Sequence, residues 1–313
     1  MHKRGQTAAG TQRWRCSVCQ TSTVKTRADT KKRHLRKWFV RWITGVRELA
    51  AIARLHGHSR RQMVRLFEPF WSEEPFKPPQ SIDYEHLLIV DGVYLSGRTN
   101  AVLIGHSGTE VCSWDFAERE CVEAWCNFLS RFQTVEVIVM DGQKGLAEAV
   151  SRHCPEARIQ RCLAHIERFV RSHISTRPKT LAGLELWRLT RSVWQVQTLS
   201  EARQWTEAFY AWNNRHDSFL KERSYSAETG RWWYTHRKLR AARSHITNAL
   251  PYMFTFIAIS GVPRTTNCVE GGINSRLKEL IRRHRGLSSC RKRILAAYFL
   301  RSRMGEKPPR NVT

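Results

Sequence analysis

The sequence predicts an α/β protein: a mixed sheet with a helical insertion, preceded by a small basic module. Three observations carry that expectation. His86-Leu87-Leu88-Ile89-Val90-Asp91-Gly92-Val93-Tyr94-Leu95 and Val135-Glu136-Val137-Ile138-Val139-Met140-Asp141-Gly142 are continuous apolar runs of the kind that form strands buried on both faces. Residues 162–260 follow a helical period and are rich in tryptophan. Basic charge collects at the two ends of the chain.

The net charge is +26, and its distribution points to the ligand. Residues 1–80 carry 18 Lys and Arg against 5 Asp and Glu, and residues 276–313 carry 12 against 2. The middle, 81–275, holds 23 against 20 and is nearly neutral. A basic head and tail around a neutral centre suggest two grips on a polyanion. Nucleic acid is the favoured ligand; acidic lipid is the rival, but no basic amphipathic helix stands beside a lipidation site. No apolar run is long enough to span a bilayer, and the basic N-terminus has no apolar signal core, so neither a membrane nor a secreted protein is expected. Nine cysteines without framework spacing fit a reducing, cytoplasmic compartment.

Residues 1–30 read as a β-hairpin followed by a Cys-x-x-Cys knuckle, Cys16 to Cys19. Structural zinc needs four ligands; one knuckle provides two, and His2 is the only upstream candidate. The segment is therefore a partial zinc-ribbon-like site at most. Residues 31–72 hold a helix-turn-helix pattern. Val46, Leu49, Ala50, Ala53 and Leu55 form a first apolar stripe, His56-Gly57-His58 a turn, and Ser59 an N-cap. The second helix opens with Arg60, Arg61 and Gln62 and continues to Arg65, the residue types that recognition helices present to base edges. An ordinary helical hairpin with a solvated basic face has the same pattern. Residues 73–82, with three prolines, read as a linker.

Beyond the linker, runs at 87–95, 101–105 and 110–116 are joined by short Gly-containing connections and suggest an antiparallel meander. Val122, Trp125, Cys126, Leu129 and Phe132 then recur at helical spacing, strand 135–140 follows, and a helix through Leu146, Ala149 and Val150 leads to strand 157–161. The order β-β-β-α-β-α-β, with a carboxylate on the first and fourth strands, is that of a ribonuclease-H-like fold over 83–172. Parallel pairing of those strands brings Asp91 and Asp141 side by side. Each Asp-Gly pair also reads as a turn. Asp91 resists that reading, because apolar sequence continues past it.

In the insertion, 173–260, Thr198 to Glu201 has the form of a capping box, and Ala202, Trp205, Phe209 and Trp212 share one face as core. Trp232-Trp233-Tyr234 reads as core in preference to a base-stacking surface. The last part of the core, 261–313, contains the best third acid, Glu270. With Asn267 as N-cap it could merely close another capping box. Gly271-Gly272 is poor helix sequence, though, and would let a phosphodiester backbone come close. Arg276, Lys278, Arg282 and Arg283 extend a cationic track beyond it.

Most of the chain resembles a bacterial insertion-sequence transposase of the Mutator-like DDE superfamily. The resemblance rests on Val90-Asp91-Gly92-Val93-Tyr94, Asp141-Gly142-Gln143-Lys144-Gly145-Leu146, Cys162-Leu163-Ala164-His165 and Arg264-Thr265-Thr266-Asn267-Cys268-Val269-Glu270. It implies that Asp91, Asp141 and Glu270 are catalytic and coordinate two Mg²⁺. It also implies that Cys162 and His165 support the site structurally and that a helical insertion separates the second and third acids. The head resembles the zinc-ribbon and helix-turn-helix module of some such transposases, without its first Cys pair, so Cys16 and Cys19 would hold Zn²⁺ only as a partial site. The implied reaction is Mg²⁺-dependent DNA cleavage and 3′-end strand transfer, with metals about 3.5–4 Å apart. The implied partners are terminal inverted repeats and target DNA, engaged by a homodimer or larger oligomer. Rival readings are a DNA-binding regulator with an inert fold, a structure-specific nuclease or resolvase, and a degenerate copy.

Overall fold

The computed structural model describes residues 1–24, 28–73 and 77–305. Residues 25–27 of the expected zinc-ribbon-like segment, 74–76 of the expected linker and 306–313 of the basic tail lie outside the described residues. The chain divides into two compact units, Met1–Phe76 with Leu280–Phe299, and Lys77–Glu279 with Leu300–Thr313.

In the first unit β1 (His2–Gln6), β2 (Gln12–Arg15) and β3 (Ser22–Val24) form a three-stranded antiparallel sheet. Three helices follow, α1 (Ala28–Ile43), α2 (Leu49–Leu55) and α3 (Arg60–Phe67). Their core is aromatic: Phe39 meets Trp71 edge-on at 4.9 Å between ring centroids, and Trp42 stacks on Phe67 at 5.6 Å. The expected stripe on α2 is corrected by the structure. Ile52 and Ala53 are its buried residues, while Val46 precedes the helix and is exposed, as is Leu55. Ser59 caps α3 as expected. Its hydroxyl accepts from the Gln62 backbone N–H at 3.2 Å, and the Gln62 side-chain Oε1 accepts from the Ser59 backbone N–H at 2.8 Å.

The second unit is built on a five-stranded mixed sheet. It consists of β4 (Ile82–Ser96), β5 (Thr99–His106), β6 (Val111–Ala117), β7 (Phe132–Met140) and β8 (Arg158–Arg161), in the order β6-β5-β4-β7-β8. Strands β4 to β6 pair antiparallel, whereas β4-β7 and β7-β8 are parallel. Parallel pairing needs crossovers, which α4 (Val122–Leu129) and α5 (Lys144–His153) provide. These helices set Trp125, Phe128, Leu129, Leu146, Ala149 and Val150 against Leu88, Val90, Leu103 and Ile138 of one sheet face. Phe132, expected at the end of the α4 stripe, instead opens β7.

The helical region comprises α6 (Leu163–Ile174), α7 (Leu181–Ser192), α8 (Leu199–Arg215), α9 (Asp217–Lys221), a hairpin of β9 (Arg223–Tyr225) and β10 (Trp232–Tyr234), α10 (Arg237–Ala249) and α11 (Thr255–Ala258). It has its own core, to which Trp205, Phe209 and Trp212 of α8 belong. Buried indoles need acceptors and find them: Trp205 Nε1 donates to the Leu189 carbonyl at 2.9 Å and Trp212 Nε1 to the Ala182 carbonyl at 3.0 Å. The expected Thr198 to Glu201 capping box is formed. Trp232 and Trp233 do not join this core; they stand 46% and 37% exposed on β10, contrary to the core expectation. A three-residue strand on a two-stranded hairpin has too few neighbours to cover both, and Arg223 packs over Trp232 at 4.1 Å instead. The chain ends with α12 (Asn267–Val269), a π-helical turn (Glu270–Asn274), α13 (Ser275–Arg283) and α14 (Ser289–Arg301). Among the described residues no helix is long and apolar enough to cross a membrane.

Candidate active site

Asp91 lies inside β4, the central strand, so its Asp-Gly pair is not a turn. The β4-β7 register pairs Leu87 with Val137 and Ile89 with Val139. Carried two residues further it sets Asp91 opposite Asp141, and side chains at equivalent parallel positions share a face. The Asp141 pair, by contrast, does turn: Gly142 has φ +81°, and the Asp141 carboxylate accepts from the Gln143 N–H at 2.8 Å. Glycine is required here twice over, because the Arg161 guanidinium occupies the space that a Cβ would fill. Arg161 is itself buried and donates to the Asp141 carbonyl at 3.0 Å.

Burial, and after it the neighbouring Asp141 carboxylate, pushes the Asp91 carboxyl up to about 7; Glu270 adds to the rise, and His165 opposes it. Asn274 supplies its hydrogen bond, donating from Nδ2 to Asp91 Oδ2 at 2.7 Å. The other amide atom of Asn274, Oδ1, is buried without a partner. A further acid, Glu120, precedes α4; burial first and Asp141 second push its carboxyl up to about 7.

Glu270 opens the π-helical turn, and Asn274 closes it. The capping-box alternative for Glu270 is not realised: Thr266, not Asn267, is the N-cap, and it makes no side-chain cap bond. The carboxylate instead reaches α6, where Arg168 Nη1 lies 2.8 Å from Oε1 and Arg168 Nη2 donates to Oε2 at 3.2 Å. His165 Nε2 is 4.0 Å from the same Oε2. The Cys162 sulfur, buried at the start of α6, accepts from the Thr266 N–H at 3.3 Å and the Thr266 hydroxyl at 3.4 Å. Burial pulls the Cys162 thiol up, but hydrogen bonds from His165 and Thr266 outweigh it and hold it below the ordinary value. The Cys162 and His165 pair thus ties α6 to the segment that carries Glu270. A Cβ on Gly271 or Gly272 would meet nothing within 4 Å, so the turn beside Glu270 is open.

Asp91, Asp141 and Glu270 therefore come into one electrostatic neighbourhood, but not into a closed ligand set. Among the described residues no three His, Cys, Asp or Glu side chains stand close enough to share a metal ion. The Glu270 carboxylate is paired with Arg168. Cys16 is half-buried and Cys19 exposed in the first unit, with no third such ligand joining them among the described residues. Of the expected DNA-contacting residues, Arg60, Arg61, Arg65, Arg276, Lys278, Arg282 and Arg283 are exposed. Gln62 is exposed too, but its side chain is engaged in the Ser59 cap. Arg276 pairs with Glu279 at 3.3 Å.

Sequence reasoning missed Asn274, Arg168, Arg161 and Glu120. Two of them had a signal: Asn274 follows Glu270 by four residues and Arg168 follows His165 by three, both helical neighbour spacings. Arg161 and Glu120 had none.

A mixed sheet with one carboxylate on its central strand, a second just past the end of the parallel neighbour, and a third acid returned from beyond a helical region defines the class of α/β architecture to which the site belongs. The particular family follows from comparison with known proteins. Residues 100–287 match the model of the Mutator family of transposases, and the chain belongs to that family. The matched segment includes Asp141 and Glu270 and begins after Asp91. The chain is also similar to the transposase for insertion sequence element IS905 of Lactococcus lactis subsp. lactis (strain IL1403). That similarity is 28% identity over 140 residues, which is 40% of this chain and 35% of the relative. The chain thus spans about a third of the length of the curated relative it matches.

Proposed function

We propose that this chain is a DNA transposase acting by divalent-metal-dependent phosphoryl transfer on a ribonuclease-H-like sheet, with Asp91, Asp141 and Glu270 as its catalytic acids. The observation that carries the reading is the state of Asp91. A buried carboxylate on a central strand faces like charge from Asp141 and Glu270, and its hydrogen-bond partner is the neutral Asn274 amide. Such an arrangement is costly without a cation. The donors are hard oxygens of the type Mg²⁺ takes, and Asp91 and Asp141 would hold it with waters and substrate phosphate completing the shell, Glu270 joining only on leaving Arg168. The unpartnered Asn274 Oδ1 is a further oxygen in the same place.

Bound there, Mg²⁺ would supply Lewis-acid activation of the attacking hydroxyl and stabilisation of the leaving oxygen. The chain's own residues do the rest. Asn274 holds Asp91 in orientation from one end of the π-helical turn, while Arg168 holds Glu270 at the other. Turns of this kind recur at functional sites because they re-aim side chains within a helix. Gly271 and Gly272 leave room for a phosphodiester backbone next to Glu270. The exposed arginines of α3, and those from Arg276 onward, carry the charge that engages DNA phosphates. The partners proposed are the ends of an insertion sequence and its target DNA, engaged by at least two copies.

The test is Mg²⁺-dependent nicking and joining of oligonucleotides that carry the element's ends. Asp91→Asn, Asp141→Asn and Glu270→Gln are expected to abolish both reactions while leaving DNA binding intact. Near wild-type joining by any one of them would remove that residue from the site. Binding without nicking by the unaltered protein would instead favour a DNA-binding regulator.

A further inference from the structure

The register of the β9-β10 hairpin sorts its side chains between two faces. Trp232 pairs with Tyr225, Trp233 with Ser224 and Tyr234 with Arg223. Side chains two apart on a strand, and those directly opposite across a pair, share a face. Tyr225, Trp232, Tyr234 and Arg223 therefore stand on one face, and Trp233 and Ser224 on the other. The ring contacts agree: Trp232 meets Tyr234 edge-on at 5.2 Å between centroids, and the Arg223 guanidinium lies over the Trp232 ring. Arg240 of α10 lies over Tyr234 at 3.5 Å and donates to the Leu220 carbonyl at 2.8 Å, which ties the base of the hairpin to the helical core. At the tip the Ser226 N–H donates to the Arg231 carbonyl at 2.8 Å. Tyr225 is 63% exposed, more than Trp232 opposite it.

Exposed aromatic residues scattered singly are ordinary. Three on one face of six paired residues, with guanidinium groups laid against two of them, are not. Residues 221–240 carry six Lys and Arg against two Asp and Glu, and one of those acids, Glu222, is bonded to His236 at 2.8 Å. Such a face fits a polyanion that also offers flat rings. Duplex DNA meets only half of that description, because its bases are stacked on one another. We infer that this face of the hairpin binds unpaired bases of DNA, with Tyr225 and Trp232 as stacking rings and Arg223 as a phosphate contact. The inference rests on the reading of the chain as a DNA transposase and names the form of DNA that its helical region takes. Trp232 keeps ring surface for a base, being 46% exposed with Arg223 already on it. The rings sit on paired strands, so little ordering is left to be done on binding.

The test is fluorescence anisotropy of the full chain with three labelled probes: a blunt duplex, the same duplex with a single-stranded tail, and that duplex with an abasic tail. The abasic tail keeps every phosphate and removes the rings. The base-bearing tail is expected to tighten binding about five-fold or more over the blunt duplex, as stacking on an aromatic side chain does, and the abasic tail to give little of that gain. Trp232→Ala and Tyr225→Ala are expected to lose the gain, to bind the blunt duplex as wild type does, and to keep the wild-type circular dichroism and melting temperature. Trp232→Phe keeps a ring and is expected to retain most of the gain. Equal binding of the two tails, or a full gain in Trp232→Ala, would overturn the inference. So would a change of oligomeric state in Trp232→Ala, seen by sedimentation, with the gain intact, since the face would then join copies of the chain. Binding of the blunt duplex with no gain from a tail would defeat this inference alone. Failure of the unaltered protein to bind any of the probes would defeat the transposase reading as well.

Discussion

Replacing Asp91 by Asn is expected to stabilise the metal-free protein, and by an amount that depends on pH. Asp91 is held at about 7 by burial and by Asp141, against about 3.9 for an unperturbed aspartate. Its folded value is raised, so the charged form is the disfavoured one in the native state. Below about pH 4 the group is protonated in both states and contributes no penalty. Between about pH 4 and pH 7 the unfolded chain ionises while the native state does not, and stability falls with each unit. Above about pH 7 the full penalty applies. Three units at 1.36 kcal/mol each put that penalty on the order of 4 kcal/mol. At roughly 2–4 °C per kcal/mol for a unit of this size, the gain in Tm at pH 8 is on the order of 10 °C. The Asn274 Nδ2 donor keeps an acceptor, since asparagine offers its own carbonyl oxygen. The assay is thermal melting followed by circular dichroism in chelator, at pH 4 and pH 8, for wild type and Asp91→Asn. Millimolar Mg²⁺ is expected to raise the wild-type Tm at pH 8 and to leave the variant unmoved. Equal Tm values for the two proteins at pH 8 would refute the account of Asp91 as a charge buried among like charges.

Trp212→Ala is expected to destabilise the helical region by about 3–5 kcal/mol, because the indole is 2% exposed and its N–H bonds the Ala182 carbonyl; denaturant unfolding measures it, and a loss below about 1 kcal/mol would contradict the packing. Ser59→Ala removes half of a reciprocal cap and is expected to cost about 1 kcal/mol, read by the same unfolding experiment. The Gln62 side chain keeps its bond to the backbone N–H of residue 59 in this variant, so DNA affinity is expected to stay unchanged in a filter-binding or anisotropy assay. Wild-type stability would mean that the Ser59 hydroxyl bond contributes nothing in solution.

Much of this protein was legible in its sequence, and the reason is range. Strands β4 and β7 announce themselves because burial on both faces demands unbroken apolar side chains. The caps at Ser59 and Thr198 are legible because each closes over three residues. The α8 core stripe follows from the helical period alone. Tertiary structure decided the rest. Asp91 and Asn274 hydrogen-bond across a separation of 183 residues, and Arg168 reaches Glu270 across 102, distances over which no local pattern carries information. The exposure of Trp232 and Trp233 depended on how little of the hairpin was covered, which their apolar character could not reveal. Gly92 shows the limit best: in sequence it is half of a turn dipeptide, yet in the fold it lies within a strand, and a Cβ there would meet the Glu120 carboxylate from another segment. Local chemistry determined which elements would form, and only their packing determined which charges would have to live together.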